Sequence, residues 1–233
     1  MASSDSAAVQ VERLNLASSV EVPHFIGSWM IAPTSLCDDL VAFFEAYPEN
    51  HAQGKIAGGL NPASKKSLDL TIRPRELQQA DHRPVRAYLD ALFACHQDYL
   101  RQWPFLQGIL PQAHIGSFNI QRYKPGGHFL KVHSERTTLA SSHRVLAWMT
   151  YLNDVSDGGS TEFIHQDLKV QPCCGHTMIW PAEWTHAHRA HTLGSGVKYI
   201  VTGWMHFPAV SDVSLTNFLP LLPQSSSLCH CRQ

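Results

Sequence analysis

His133 and Glu135 are the residues in this chain whose types and spacing point most directly to chemistry. A non-haem Fe(II) ion that must bind reactants needs a protein that holds one face only. Two imidazoles and one carboxylate do this and leave three positions open. Residues two apart in a strand point to the same side, so His133 and Glu135 are expected to reach one ion from a single strand. The second imidazole has to come from a distant strand brought alongside, where His186 and His188 alternate. The pair alone is weak evidence in a chain with 15 histidines. Two polar residues on a solvent-facing strand would read the same way.

The elements that must position these residues can be read from composition and periodicity. At 233 residues the chain can bury one core. The reading is one domain with a disordered tail over 1–19, strands and support helices over 20–112, a β-rich core over 113–208 and an extension over 209–233. Hydrophobic content of 44% and charged content of 16% are those of an ordinary globular chain. With 18 basic and 19 acidic residues no global field draws it to nucleic acid or an anionic membrane. No apolar run approaches the roughly 20 residues that span a bilayer. The run Met1 to Gln10 lacks a basic and an apolar region, so no secretory signal is expected. The six cysteines form no C-x-x-C pair. A reducing, cytoplasmic setting is the expectation. The terminal Cys229-His230-Cys231 would suit a soft metal or a disordered end equally in type, and chain ends favour disorder.

Val22 to Ile31 is β-branched and aromatic and predicts a strand. Leu36, Leu40, Val41 and Phe44 predict a helix over 35–47, which Pro48 stops. Residues 51–66 are rich in Gly, Asn and Lys and read as a loop, either solvated or a lid over a site. Pro84 opens a second helix whose stripe of Val85, Leu89, Leu92, Phe93, Tyr99 and Leu100 needs a sheet to cover it. From Ala113 the texture changes to short β-like runs. Ile115–Tyr123, Val145–Leu152, His176–Trp180 and Val197–Phe207 are the firmest strands, separated by turn clusters at 125–127, 153–159 and 194–196. Helices first and strands second predict an antiparallel sandwich or barrel buttressed on one side.

Four blocks in the second half then change the weight of the H-x-E pair. The first is Tyr123-Lys124-Pro125-Gly126-Gly127-His128-Phe129 followed by His133-Ser134-Glu135. The second is Tyr151-Leu152-Asn153-Asp154 with Gly158-Gly159-Ser160-Thr161-Glu162-Phe163. The third runs from Gly175 to Pro181 and on through Trp184-Thr185-His186-Ala187-His188-Arg189. The fourth is Lys198-Tyr199 leading to Thr202-Gly203-Trp204. Taken in this order they resemble the prolyl 4-hydroxylase-like branch of the 2-oxoglutarate/Fe(II) dioxygenases, over about Asn119 to Phe207.

The resemblance implies a double-stranded β-helix, a jelly-roll or cupin-like core, mainly β with flanking helices. It implies Fe(II) on His133, Glu135 and His188, where the family usually has Asp in place of Glu135. His188 is preferred to His186 because its interval to Lys198 and the following Arg189 match the family. His186, Arg189 and Trp204 would then stand behind the ligands or beside the substrate. Lys198 would pair with the distal carboxylate of 2-oxoglutarate, since a dianion in an apolar barrel needs a fixed cation. Tyr123, Tyr151 and Thr202 would add hydroxyl hydrogen bonds. Thr202 and Trp204 share a strand face with Lys198 by alternation. The plainer alternative is that Tyr123 and Tyr151 are core residues with satisfied hydroxyls, and Lys198 a surface residue at a strand start.

The implied activity is hydroxylation of a C–H bond with O2, releasing succinate and CO2, with ascorbate admitted as a reductant. The implied substrate is a prolyl or other residue in a peptide, or a free amino acid or small metabolite. A demethylase begins with the same step, and a non-catalytic sensor of metal and 2-oxoglutarate would keep the same ligands.

Overall fold

A computed structural model describes residues 23–110, 112–207 and 219–220. The expected tails over 1–19 and 209–233, including Cys229-His230-Cys231, lie outside the described residues apart from 219–220.

Strand β1 (Gly27–Met30) is followed by helix α1 (Ser35–Ala46). Leu40 and Phe44 of the expected stripe are buried there beside Cys37 and Phe43. The segment read as a loop has strands at both ends, β2 (His51–Gln53) and β3 (Lys65–Lys66), and β4 (Leu68–Ile72) follows. Polar composition concealed the short ladders that these residues form with strands remote in sequence. Helix α2 (Arg83–Gln102) has Pro84 in its first turn and buries Val85, Tyr88, Leu89, Leu92, Cys95, His96, Tyr99 and Leu100. Spacings of three and four put them on one face. A short α3 (Phe105–Ile109) closes this half.

The rest is β: β5 (His114–Ile115), β6 (Phe118–Tyr123), β7 (His128–His133), β8 (Arg144–Tyr151), β9 (Thr161–Phe163), β10 (Leu168–Val170), β11 (His176–Pro181), β12 (His188–Ala190), β13 (Lys198–His206) and β14 (Leu219–Pro220). The strand expected over 115–123 is broken at Gly116-Ser117 into β5 and β6, and that expected over 22–31 shortens to β1. Two sheets result. One runs β1-β11-β8-β13-β6-β4-β2, with β5 and β14 attached beside β13. The other runs β10-β9-β12-β7-β3. This is the antiparallel two-sheet barrel that the order of elements predicts, and the double-stranded β-helix that the resemblance implies.

The larger sheet is covered on both faces, which explains its apolar strands. Leu146 and Trp148 of β8, Ile179 of β11 and Val201 and Met205 of β13 pack with α1 and α2. The intervening Ala147, Met149, Tyr151, Met178, Trp180 and Ile200 face the other way and meet Phe163 and Leu193 from the second sheet's side. The barrel interior is therefore a second core. The β6–β7 turn needs Gly127, because a Cβ there would lie 2.7 Å from the Lys124 carbonyl oxygen and 3.1 Å from that of Lys66. Among the described residues no helix is long and apolar enough to cross a membrane.

Candidate metal centre

His133 is the last residue of β7 and His188 the first of β12, and the antiparallel pairing places them directly opposite each other. This ladder joins residues far apart in sequence, leaving their rings 4.5 Å apart. His133 Nδ1 donates to the Lys131 carbonyl oxygen at 2.8 Å, and His188 Nδ1 to that of His186 at 2.9 Å. A carbonyl can only accept, so Nδ1 carries a proton in each ring, and Nε2 is the nitrogen each ring turns to the cluster. Phe129 stacks on His133 at 3.8 Å.

Glu135 is not on the strand with His133. The chain leaves β7 after His133, and the backbone N–H groups of Glu135 and Arg136 both donate to the Ala182 carbonyl oxygen. The carboxylate still returns to the histidines. Its Oε1 lies 3.3 Å from His188 Nε2 and 3.8 Å from His133 Nε2. One ligand atom from each of the three residues falls within 4.8 Å of the others. Burial pushes the His133 ring down to about 4, aided by the neighbouring His188. For Glu135 burial acts upward, but His188 and His133, with the Trp204 hydrogen bond, outweigh it and hold the carboxyl down at about 2. Two histidines and one carboxylate converging from one side are the donor set that suits a non-haem Fe(II), so the residues fit that ion.

His186 does not alternate with His188 on one strand. It ends a 3-10 turn (Trp184–His186), with Nε2 at the His24 carbonyl oxygen, 2.8 Å, and Nδ1 at Thr185 Oγ1, 3.0 Å. Both nitrogens are engaged away from the cluster. Arg189 points from the opposite face of β12 and pairs with Glu162 at 2.7 Å beside His191. Trp204 does approach the cluster: its indole N–H donates to Glu135 Oε2 at 2.7 Å.

Deeper in the barrel Lys198 is 1% exposed. Its ammonium donates to the Gly159 carbonyl oxygen at 2.8 Å and lies 4.5 Å over the Tyr123 ring. Among the described residues no carboxylate pairs with it, and burial alone pushes it down to about 7. A buried cation lacking its anion is what a site for a dianion should contain. The Tyr123 hydroxyl donates to Gln121 Oε1, that of Tyr151 to Thr161 Oγ1, and that of Thr202 to the Trp148 carbonyl oxygen. Each hydroxyl thus already has a protein partner.

Three features escaped the sequence reading. Gln121 connects Tyr123 to Asp69, whose carboxylate also accepts from Ser67 and from Lys65 Nζ at 2.7 Å. Lys65 is buried and Lys66 exposed, and an alternation across the Lys65-Lys66-Ser67-Leu68-Asp69 run was the available signal. Arg144, at the start of β8, reaches Glu135 as well. Nothing local in the sequence marks it.

Residues 118–206 match the family model of the 2OG-Fe(II) oxygenase superfamily. A plant protein, probable prolyl 4-hydroxylase 9 of Arabidopsis thaliana, is 26% identical over 123 residues, covering 42% of this chain and 43% of its own length. The chain therefore spans less than half of that curated relative. Among solved structures, a Pseudomonas putida prolyl-4-hydroxylase superposes with a TM-score of 0.60 at 18% identity, covering 80% of this chain and 94% of that one. A viral collagen prolyl hydroxylase from Paramecium Bursaria Chlorella virus-1, in complex with 2OG, gives 0.57 at 19% identity, with coverages of 79% and 97%. A Trichoplax adhaerens prolyl hydroxylase, bound to a hypoxia inducible factor peptide fragment, gives 0.60 at 14% identity, with coverages of 77% and 83%. At these identities the superpositions speak to the fold.

Proposed function

We propose, proceeding from a chain that carries a 2OG-Fe(II) oxygenase domain over residues 118–206, that it is an Fe(II)- and 2-oxoglutarate-dependent dioxygenase. The reaction we assign to it is hydroxylation of a C–H bond in a prolyl or other residue of a peptide, or in a free amino acid. The observation that carries this reading is the convergence of His133, Glu135 and His188 within 4.8 Å at the mouth of a barrel that buries the Lys198 ammonium.

Bound iron would supply activation of O2 coupled to oxidative decarboxylation of 2-oxoglutarate to succinate and CO2. The chain's own residues do the rest. His133 and His188 offer Nε2 because carbonyl oxygens of the chain hold their Nδ1 protons. Glu135 adds one negative charge and completes a single face. Lys198 supplies the fixed cation for the distal carboxylate of 2-oxoglutarate. Tyr123 and Tyr151 wall its chain and bring hydroxyls to its flank, and Thr202 stands on the same strand face. Met149, Met178, Trp180 and Phe163 keep that interior dry, which strengthens every charge interaction within it.

A peptide substrate is supported by the names of the relatives, each a prolyl hydroxylase, and by the peptide bound to one of them. Residues 54–64 lead into β3, which pairs with β7, and the Leu130 N–H donates to the Ser64 carbonyl oxygen just before that ladder; this segment is the side of the site we assign to the substrate. Anaerobic titration of the apo-protein with Fe(II) and 2-oxoglutarate tests the reading. A saturable visible charge-transfer band, lost in His133→Ala, and succinate release with proline-containing peptides are the expected results. A folded protein with no band would sink it. A band with no substrate-linked succinate from any peptide or amino acid would reduce the protein to a sensor.

A further inference from the structure

A glutamate ligand has three side-chain torsions to fix and two equivalent oxygens to offer. Glu135 also lies beyond the end of β7, where no ladder holds its backbone. Its geometry must be imposed from elsewhere. Two residues do so. The Trp204 indole N–H donates to Oε2 at 2.7 Å. Arg144 Nη1 donates to the Glu135 carbonyl oxygen at 2.9 Å and lies 3.9 Å from the same Oε2. The two are themselves joined, with the guanidinium 3.6 Å from the centre of the indole. Both belong to adjacent strands of the larger sheet, where β8 pairs with β13 and Trp204 sits opposite Ala147. The opposite oxygen, Oε1, is the one turned to His188 and His133.

We propose that Trp204 and Arg144 clamp Glu135 as a one-oxygen metal ligand. Oε2 is occupied by the indole N–H, with the guanidinium alongside, and only Oε1 is free for the ion. A carboxylate that bound through both oxygens would use a position that co-substrate or O2 needs; the clamp keeps three positions open. Arg144 serves twice, fixing the backbone of Glu135 and covering the indole. Neither residue touches the ion, so both are positioning residues. The inference rests on the metal-site reading above.

The test is Co(II) titration of the full chain, with the ion as sole probe, in wild type, Trp204→Phe, Glu135→Asp and the double variant. Trp204→Phe keeps a ring beneath Arg144 and removes the N–H. It should weaken Co(II) binding about 10- to 100-fold, the usual cost of losing an outer partner of a ligand, while leaving the urea midpoint of the apo-protein in place. An aspartate is one methylene too short to bind the ion and reach the indole together. Trp204→Phe should therefore add little in the Glu135→Asp background, a cancellation that a structural role for Trp204 would not produce. Arg144→Met, at a half-buried position, should weaken Co(II) in the same direction by a smaller factor, and decides the question if Trp204→Phe does not fold. Wild-type affinity in Trp204→Phe or, failing that, in Arg144→Met overturns the clamp while leaving the metal site. A wild type that does not take up Co(II) overturns both.

Discussion

The buried ammonium of Lys198 gives a pH dependence whose size and sign can be worked out. Burial brings it down from an ordinary value of 10.5 to about 7. If only the protonated form accepts the distal carboxylate, the apparent affinity for 2-oxoglutarate scales with the protonated fraction. That fraction falls from about one half at pH 7 to about one hundredth at pH 9, so the affinity should fall about 50-fold, or about 2 kcal/mol. His133 at about 4 and Glu135 at about 2 both lie below this window. Calorimetric titration of Mn(II)-loaded protein with 2-oxoglutarate from pH 6 to 9 measures it. Lys198→Met should bind about 10- to 150-fold more weakly at pH 6, for a lost charge-assisted hydrogen bond of about 1.5–3 kcal/mol, and show no slope. Stability carries the opposite sign. Between about 7 and 10.5 the unfolded chain holds more protons than the folded one, so the ligand-free protein should gain stability as pH rises, by up to about 5 kcal/mol. An affinity independent of pH from 6 to 9, or a slope that persists in Lys198→Met, would refute the assignment.

Two further outcomes follow from the interior. Asp69→Asn removes the partner of the buried Lys65 ammonium, 2.7 Å away with 5% and 11% exposure of the two side chains; breaking such a pair costs about 3–5 kcal/mol, and an unchanged urea midpoint would contradict the packing. Gly203→Ala would place a Cβ 2.6 Å from the Trp148 ring and 2.7 Å from Phe118 Cβ, so a loss of about 1–3 kcal/mol is expected in denaturant melts, and a neutral result would mean that this contact relaxes freely.

Most of the long strands were legible because each carries its own two-faced apolar pattern. β8, β11 and β13 are read to within about a residue at either end, as boundaries can be. Helices α1 and α2 were legible for the same reason, with Pro48 and Pro84 as punctuation. What the sequence hid is tertiary. β3 and β4 exist because β7 and β6 lie beside them, and β3 has only two residues in which to show a period. Glu135 left its strand for a carbonyl oxygen at Ala182, an acceptor 47 positions on that no local spacing could announce. Arg189 was matched by resemblance alone, and alternation from His188 would have placed it on the outer face beside Glu162.

The site's dependence on one strand has a consequence for how it can vary. Along β13 the residues of one parity, Lys198, Thr202 and Trp204, serve the barrel interior, and those of the other, Val201 and Met205, bind it to the helices. A one-residue slip of β13 would exchange the two sets entirely. It would turn Lys198 out of the proposed co-substrate site and take the indole N–H from Glu135 at the same stroke. The register is held on both sides, by pairing with β6 from Lys198 to Thr202 and with β8 from Ile200 to His206. On the helix side, Gly203 leaves no room for the side chain that a slip would bring against Trp148. The packing of the helix-side core is therefore what keeps the cation and the proposed clamp in one frame.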